Sequence, residues 1–275
     1  MSSGLASPAA GSRPQAPFGT RDLPLTRLAQ LGPYSVLTVL DEPGPAPLAG
    51  QFYMLSTADR WGGGSEQRPY LPRAISVARA GNGELDFMLE VVGPGTARLC
   101  ELVVGDKLRL LGPFGNGFSA PSEGRRALLC GGGIGIAPLA ILQQSLGGAV
   151  ALLGFRDGRH AAGAALLDQA LIATDDGSVG HHGLVTDLLT EQLDQHSESE
   201  VYACGPPAML EAVRALSAER GVPAQLAVET GMACGYGACY GCVVKQSDGS
   251  YLRSCVDGPV LTATQLAPDW LGEDG

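Results

Sequence analysis

Along the chain the spacing of hydrophobic positions changes its rhythm twice. From about Leu23 to Phe118, short runs of Val, Leu, Ile and Phe are separated by Gly and Pro turns, which is a β pattern. Tyr34–Leu40, Phe52–Ser56, Ala74–Arg79 and Glu84–Val92 read as the clearest strands. In the last of these, Leu85, Phe87, Leu89 and Val91 alternate with Glu84, Asp86, Met88 and Glu90, which predicts a half-buried strand. Strands at this spacing predict a small antiparallel barrel, with Thr96–Val103 as one helix across its end. Trp61-Gly-Gly-Gly-Ser65 reads as a loop insertion.

From about Arg125 the pattern becomes α/β. Ala127–Cys130, Ala149–Leu153, Leu171–Thr174 and Val201–Cys204 are short apolar runs, as strands buried on both faces require. Pro138–Leu146, Leu184–Leu193 and Pro207–Arg220 carry helical periodicity between or after them. The prediction is a doubly wound, mostly parallel sheet, Rossmann-like in plan. After Ala224–Val228 comes a short Cys- and Gly-rich unit with an acidic tail, and no internal repeat is present. The fold class expected is therefore β plus α/β, divided as a lead-in over 1–21, a barrel over 22–120, an α/β domain over 121–225 and a small unit over 226–275.

Bulk composition narrows this further. The formal net charge of −10 with no basic stripe excludes a nucleic-acid partner, which needs Lys and Arg to neutralise phosphates. The longest apolar runs fall short of the ~20 residues that cross a membrane. Met1 to about Thr20 is rich in Ala, Ser, Gly and Pro without a signal-peptide core, and reads as a disordered lead-in on a cytoplasmic protein. Seven cysteines are present, four of them within 22 residues. In a reducing compartment such a cluster points to metal or catalysis rather than disulfides. Cys100, Cys130 and Cys204 lie in apolar surroundings and read as small buried hydrophobes.

The cluster runs Cys234-Gly-Tyr-Gly-Ala-Cys239-Tyr-Gly-Cys242, with Cys255 after twelve intervening residues. This C-x4-C-x2-C…C spacing is that of plant-type [2Fe–2S] sites. Three thiolates from one loop must curl round a two-iron rhomb, and Gly235, Gly237 and Gly241 permit the close turns. Zinc is the competing metal, although only one half of the motif has a C-x2-C knuckle. A redox dithiol is a further option that would leave two of the cysteines unused.

After the strand ending at Cys130 comes Gly131-Gly-Gly-Ile-Gly-Ile-Ala-Pro-Leu139. Strand, glycine turn and a helix opening on Pro make a site for a dinucleotide pyrophosphate, although a plain βα turn also uses Gly. Ala203-Cys204-Gly205-Pro206-Pro207 repeats the strand-to-helix turn beside it, where a tight turn that only packs Cys204 is an equal reading. His160, His181, His182 and His196 suggest no metal site, and the adjacent pair reads as solvated loop. Arg156 and Arg159 would favour a 2′-phosphate and Asp157 a free ribose hydroxyl.

Gly133-x-Gly135-x-x-Pro138 with Cys204-Gly205-Pro206 resembles the ferredoxin–NADP reductase superfamily, and Arg73-Ala74-Ile75-Ser76 resembles its flavin signature. Within it, Met232 to Lys245 resembles the electron-transfer subunits of type B dihydroorotate dehydrogenase. Gly50-Gln51-Phe52, Val92-Gly-Pro-Gly-Thr96, Leu111 to Phe118 and Cys255-Val-Asp-Gly-Pro-Val260 extend the likeness over roughly residues 22 to 262. The resemblance implies a flavin-binding β-barrel, an NAD domain and a C-terminal [2Fe–2S] subdomain. It implies Arg73 at the FAD pyrophosphate, Ala74, Ile75 and Ser76 along the flavin, and Gly95 and Thr96 supporting the FAD phosphates. Gly133 and Gly135 would face the NAD pyrophosphate, Cys204 and Gly205 the nicotinamide, and Cys234, Cys239, Cys242 and Cys255 would ligate the cluster. Ile75 stands where the superfamily has tyrosine, and Ala74 where it has proline. By the same resemblance the partner is an FMN-containing catalytic subunit that oxidises dihydroorotate, two of each in a heterotetramer. Electrons would pass through cluster and FAD to NAD, in de novo pyrimidine (UMP) synthesis, with no acid–base residue on this chain. A diaphorase serving ferredoxin, sulfur or a hydrogenase is the alternative, and a zinc-stapled adaptor a third reading.

Overall fold

The computed structural model describes residues 19–59, 61–62 and 69–270. Six strands close a barrel: β1 (Arg21–Leu31), β2 (Tyr34–Leu40), β3 (Phe52–Thr57), β4 (Arg73–Gly81), β5 (Glu84–Glu90) and β6 (Lys107–Phe114). Their order round the barrel is β1-β2-β5-β4-β3-β6, and β1 pairs antiparallel with β6, so no edge is left open. Tyr53, Leu55, Val77, Phe87, Leu108 and Leu110 fill the interior. Helix α1 (Pro94–Cys100) crosses its end, slightly earlier than the Thr96–Val103 expected.

The half-buried strand expected at Glu84–Val92 is corrected. In β5 every residue from Leu85 to Leu89 is buried, and Val91 lies beyond the strand and is exposed. Phe87 faces the barrel interior. On the other face, the Asp86 carboxylate accepts from Thr38 Oγ1 at 2.6 Å and pairs with Arg27. Met88 packs beneath Gly163 of the following domain. A second domain covers the face that alternation had assigned to water.

That domain carries β7 (Arg126–Gly132), β8 (Val150–Phe155), β9 (Ala170–Thr174), β10 (His181–His182), β11 (Ser199–Cys204) and β12 (Ala224–Ala227). A hairpin of β13 (Val243–Lys245) and β14 (Tyr251–Arg253) follows, and then β15 (Val260–Thr262). The sheet runs β10-β9-β8-β7-β11-β12-β15, parallel throughout except for β15 against β12. The small C-terminal unit is thus sewn into the sheet by its last strand. His181 and His182 form the edge strand rather than a loop. The side chains of the central strands alternate between two cores. Leu129, Leu153 and Tyr202 pack with helix α2 (Ala137–Leu146) and the barrel. Leu128, Cys130, Leu152, Val201 and Ala203 pack with residues of α4 (Val185–Gln195) and α5 (Pro207–Arg220), the short α3 (Gly158–Ala161) lying between α2 and α4 in sequence. At roughly 1.5–3 kcal/mol for each buried large apolar side chain, the core shared through α2 fixes the barrel against the sheet. The Trp61–Ser65 insertion, the lead-in and the tail fall largely outside the described residues.

Candidate functional site

Three features meet where the barrel, the sheet and the C-terminal unit join. The first is a cleft of about 280 Å³ walled by Phe52, Arg73–Ser76, Met88–Glu90, Thr96, Pro138, Glu229 and Met232. Strand β4 supplies its floor because β4 pairs with β3 on one side only as far as Ser76, in the register Phe52 with Ser76 and Met54 with Ala74. Arg73 donates to the Leu71 carbonyl and lies over the Trp61 ring. Its guanidinium rests on Gly95, where a Cβ would fall 2.5 Å from Cζ. The Thr96 hydroxyl is already engaged, accepting from the backbone N–H groups of Val92 and Gly93. Glu229 lines this cleft with its side chain exposed to it, and desolvation by the surrounding walls raises its carboxyl above the usual range.

The second is a cleft of about 490 Å³ at the carboxyl ends of the parallel strands, lined by Gly132, Gly133, Gly154, Arg156, Asp175, Pro206 and Met209 among others. Gly133 has φ +53 and open space at its Cβ position, so its backbone faces the cleft unobstructed. Gly135 is different: a Cβ there would lie 2.6 Å from the Cys204 carbonyl and the Gly205 Cα. Cys204 is fully buried, and burial holds its thiol well above the ordinary value, with the nearby Glu229 carboxylate adding to it.

The third is the cysteine unit. Cys242 and Cys255 are buried, with Sγ atoms 3.1 Å apart, Cys234 is half-buried and Cys239 exposed. Gly235 and Gly237, at φ +79 and +86, carry the loop past Met54 and Val256, which a Cβ at either position would strike. For Cys234, burial acts to raise the thiol. The backbone N–H groups of Tyr236, Cys239 and Ala238, with the Cys239 thiol, outweigh it and bring the pKa to about 6. Cys255 is pushed up to about 12 by burial and then by the adjoining Cys242. Among the described residues no three metal-ligating side chains close round one ion, whereas a two-iron centre asks for two thiolates at each iron.

The family model of the iron–sulfur cluster binding domain of dihydroorotate dehydrogenase B matches residues 229–267. The dihydroorotate dehydrogenase B (NAD(+)) electron transfer subunit of Desulforamulus reducens is 34% identical over 264 residues, 89% of this chain and 97% of the relative. That of Geobacillus thermodenitrificans is 38% identical over 79% of this chain and 86% of its own length. The chain belongs to the family of these electron transfer subunits. Among solved structures, one of an NADH-dependent reduced ferredoxin-NADP oxidoreductase superposes with a TM-score of 0.76 at 24% identity, covering 92% of this chain and 93% of the other. A ferredoxin NADP+ reductase from Neisseria gonorrhoeae, with bound FAD and NADP, superposes at 0.59 and 18% identity over 74% of this chain and 92% of its own. Both share the fold of barrel and α/β sheet.

For a chain of this family, the positions singled out from sequence divide by place. Arg73, Ala74, Ile75, Ser76 and Thr96 line the first cleft, and Gly95 lies beneath Arg73. Gly133 lines the second. Gly135, Cys204 and Gly205 line neither and pack against one another behind the two. Sequence reasoning missed Glu229 and Glu90. The first could have been found, since it follows β12 at the carboxyl edge of the sheet, where ligands of such sheets sit. Glu90 had no signal, because nothing in a barrel strand announces that its end reaches another domain. The three features form a row. The first cleft shares Glu90 and Val92 with the second. It shares Phe52, Ala74 and Met232 with the apolar cluster that holds Cys242 and Cys255.

Proposed function

We propose that this chain is the electron-transfer subunit of an NAD-dependent dihydroorotate dehydrogenase, carrying electrons between a dihydroorotate-oxidising FMN subunit and NAD in de novo pyrimidine (UMP) synthesis. The observation that supports it is the row of adjoining sites, each separated from the next by two or three shared side chains. Family membership supplies the substrate and the partner.

The residues present fit the groups this reading requires. Cys234, Cys239, Cys242 and Cys255 would hold a [2Fe–2S] cluster, in a cradle where Gly235 and Gly237 leave no room for a Cβ and the Ala238 N–H donates to the Cys234 sulfur at 3.3 Å. Arg73 would meet the FAD pyrophosphate, with Ala74, Ile75 and Ser76 along the flavin, and Gly95 and Thr96 shape its seat. Gly133 would pass the NAD pyrophosphate at close range, while Gly135, Cys204 and Gly205 hold the wall behind it. Bound there, FAD would supply hydride exchange with nicotinamide and one-electron exchange with the cluster. Phe52 and Met232 exclude water between cleft and cysteine loop. Glu229 would face the flavin across this cleft, its carboxyl raised above the usual range by desolvation. The FMN-bearing partner would dock on the C-terminal unit, where Tyr240, Val243 and Tyr251 are exposed, as is Cys239. The working division stays at 22–120 for FAD, 121–225 for NAD and 226–275 for the cluster, in a cytoplasmic heterotetramer with two copies of each subunit.

The test is anaerobic purification with iron, sulfide and flavin analysis, followed by NAD-linked dihydroorotate oxidation after mixing with the FMN subunit. Two irons, one FAD and coupled turnover are expected. A colourless zinc protein, or a flavoprotein that never couples to dihydroorotate, sinks the reading.

A further inference from the structure

Resting on the nucleotide site just assigned, we propose that Glu90, a residue of the flavin barrel, makes this chain prefer NAD(H) over NADP(H). It does so by engaging Arg156 of the neighbouring domain. In doubly wound folds the residue at the end of the second strand meets the adenosine ribose, where an acid suits a free 2′-hydroxyl and an arginine suits a 2′-phosphate. Arg156 directly follows β8, the second strand of this domain, and lines the nucleotide cleft. Taken alone, it favours the phosphate.

It is not alone. Arg156 Nη2 donates to Glu90 Oε1 at 2.8 Å, and Nε donates to the His160 ring at 2.8 Å. Glu90 reaches it from the end of β5, across the domain boundary, with its side chain only 22% exposed. Asp175 lines the same cleft from the end of β9. Asp157 caps α3 and holds the His160 ring at 2.6 Å. Arg159, the other candidate cation, is exposed and does not line the cleft. The cleft therefore offers one guanidinium whose charge is already matched by Glu90, with two further carboxylates at its margin. A 2′-phosphate has to share Arg156 with Glu90 at close like-charge range or displace it. A 2′-hydroxyl has to do neither.

The experiment is Glu90→Gln, with FAD content checked by visible absorbance, and the NADPH-to-NADH ratio of kcat/KM as the readout. The ratio is expected to rise about fivefold, the upper end for an ion pair partly screened by solvent. Competition by 2′,5′-ADP relative to 5′-AMP should tighten by the same factor. The double variant Glu90→Gln/Arg156→Gln should lose the gain. An unchanged ratio in Glu90→Gln, or a gain that survives in the double variant, overturns the proposal. If Glu90→Gln does not fold, Glu90→Asp decides: the shorter carboxylate should release part of the Arg156 guanidinium and raise the ratio, and an unchanged ratio overturns the proposal. Wild-type protein that fails to have its flavin reduced by NADH refutes the nucleotide site itself, a separate outcome.

Discussion

Gly95→Ala should separate stability from flavin affinity. Gly95 is buried in the first turn of α1, and no positive φ is required there, so alanine suits the backbone and favours the helix by up to about 1 kcal/mol. What alanine meets is the Arg73 guanidinium, with Cζ at 2.5 Å and Nη2 at 2.7 Å from the added methyl. These atoms end a flexible side chain, so the helix stays and Arg73 swings away. If Arg73 makes charge-assisted hydrogen bonds to the FAD pyrophosphate, their loss costs roughly 1.5–3 kcal/mol, which is about 10- to 150-fold in Kd. Titrating flavin-stripped protein with FAD by fluorescence quenching reads the affinity, and thermal unfolding of the same apoprotein reads the stability. Arg73→Gln should weaken binding to a similar degree, and the double variant no further, since both changes remove one contact. A Gly95→Ala protein that binds FAD as tightly as wild type would show that Arg73 is not the pyrophosphate's partner.

Three further outcomes follow from the same geometry. Cys255→Ser should abolish the two-iron content and its visible absorption, whereas Cys130→Ser, at a site buried in the sheet, should keep both; iron and sulfide analysis distinguishes them. Gly135→Ala should lower the thermal midpoint by an amount equivalent to about 1–3 kcal/mol, because its methyl meets the Cys204 backbone rather than a movable side chain. Glu229→Gln should stabilise the apoprotein increasingly as pH rises from the ordinary glutamate range, then level off. The folded state raises this carboxyl, so it binds more protons than the unfolded state in that window, and wild-type stability falls with rising pH. Denaturation midpoints for the pair between pH 4 and 8 that stay parallel would contradict it.

How much of this was legible beforehand depends on whether a residue's role is set by its own segment. The cysteine spacing, the glycine turn after β7 and the helices from Pro138 and Pro207 are local patterns, and the elements were found within a few residues. Strand β1 gave little signal. Arg21–Leu31 contains Pro24 and alternates weakly, because only Leu25 is fully buried and its hydrogen bonds go to β2 and β6. The alternation in β5 was real but misassigned, since a second domain buries its outer face. Gly135 shows the same limit at a single residue. A glycine facing a phosphate and one packed on a neighbouring turn look alike in sequence, and only the approach of Cys204 tells them apart.

Ala74 departs from the superfamily pattern, and the structure gives a reason for a small residue there. It pairs with Met54 in the β3–β4 ladder and lines the first cleft, yet it also packs among Phe52, Phe114, Cys242 and Cys255 on the cysteine side. A proline at this position could not donate to the ladder, and its ring would stand in the wall shared by the two sites. Phe52, Ala74 and Met232 belong to both sides of the wall, and Phe114 packs behind them between Phe52 and Tyr236 at 5.9 and 6.4 Å. Electron transfer between two prosthetic groups weakens steeply with the atoms placed between them, so a small residue in the partition favours close approach. The cost is packing that depends on the cysteine loop for its other face. It follows that loss of the cluster should loosen the flavin seat as well, through Phe52 and Met232, whereas loss of FAD leaves the barrel side of the cysteine loop supported by Met54 and Phe114.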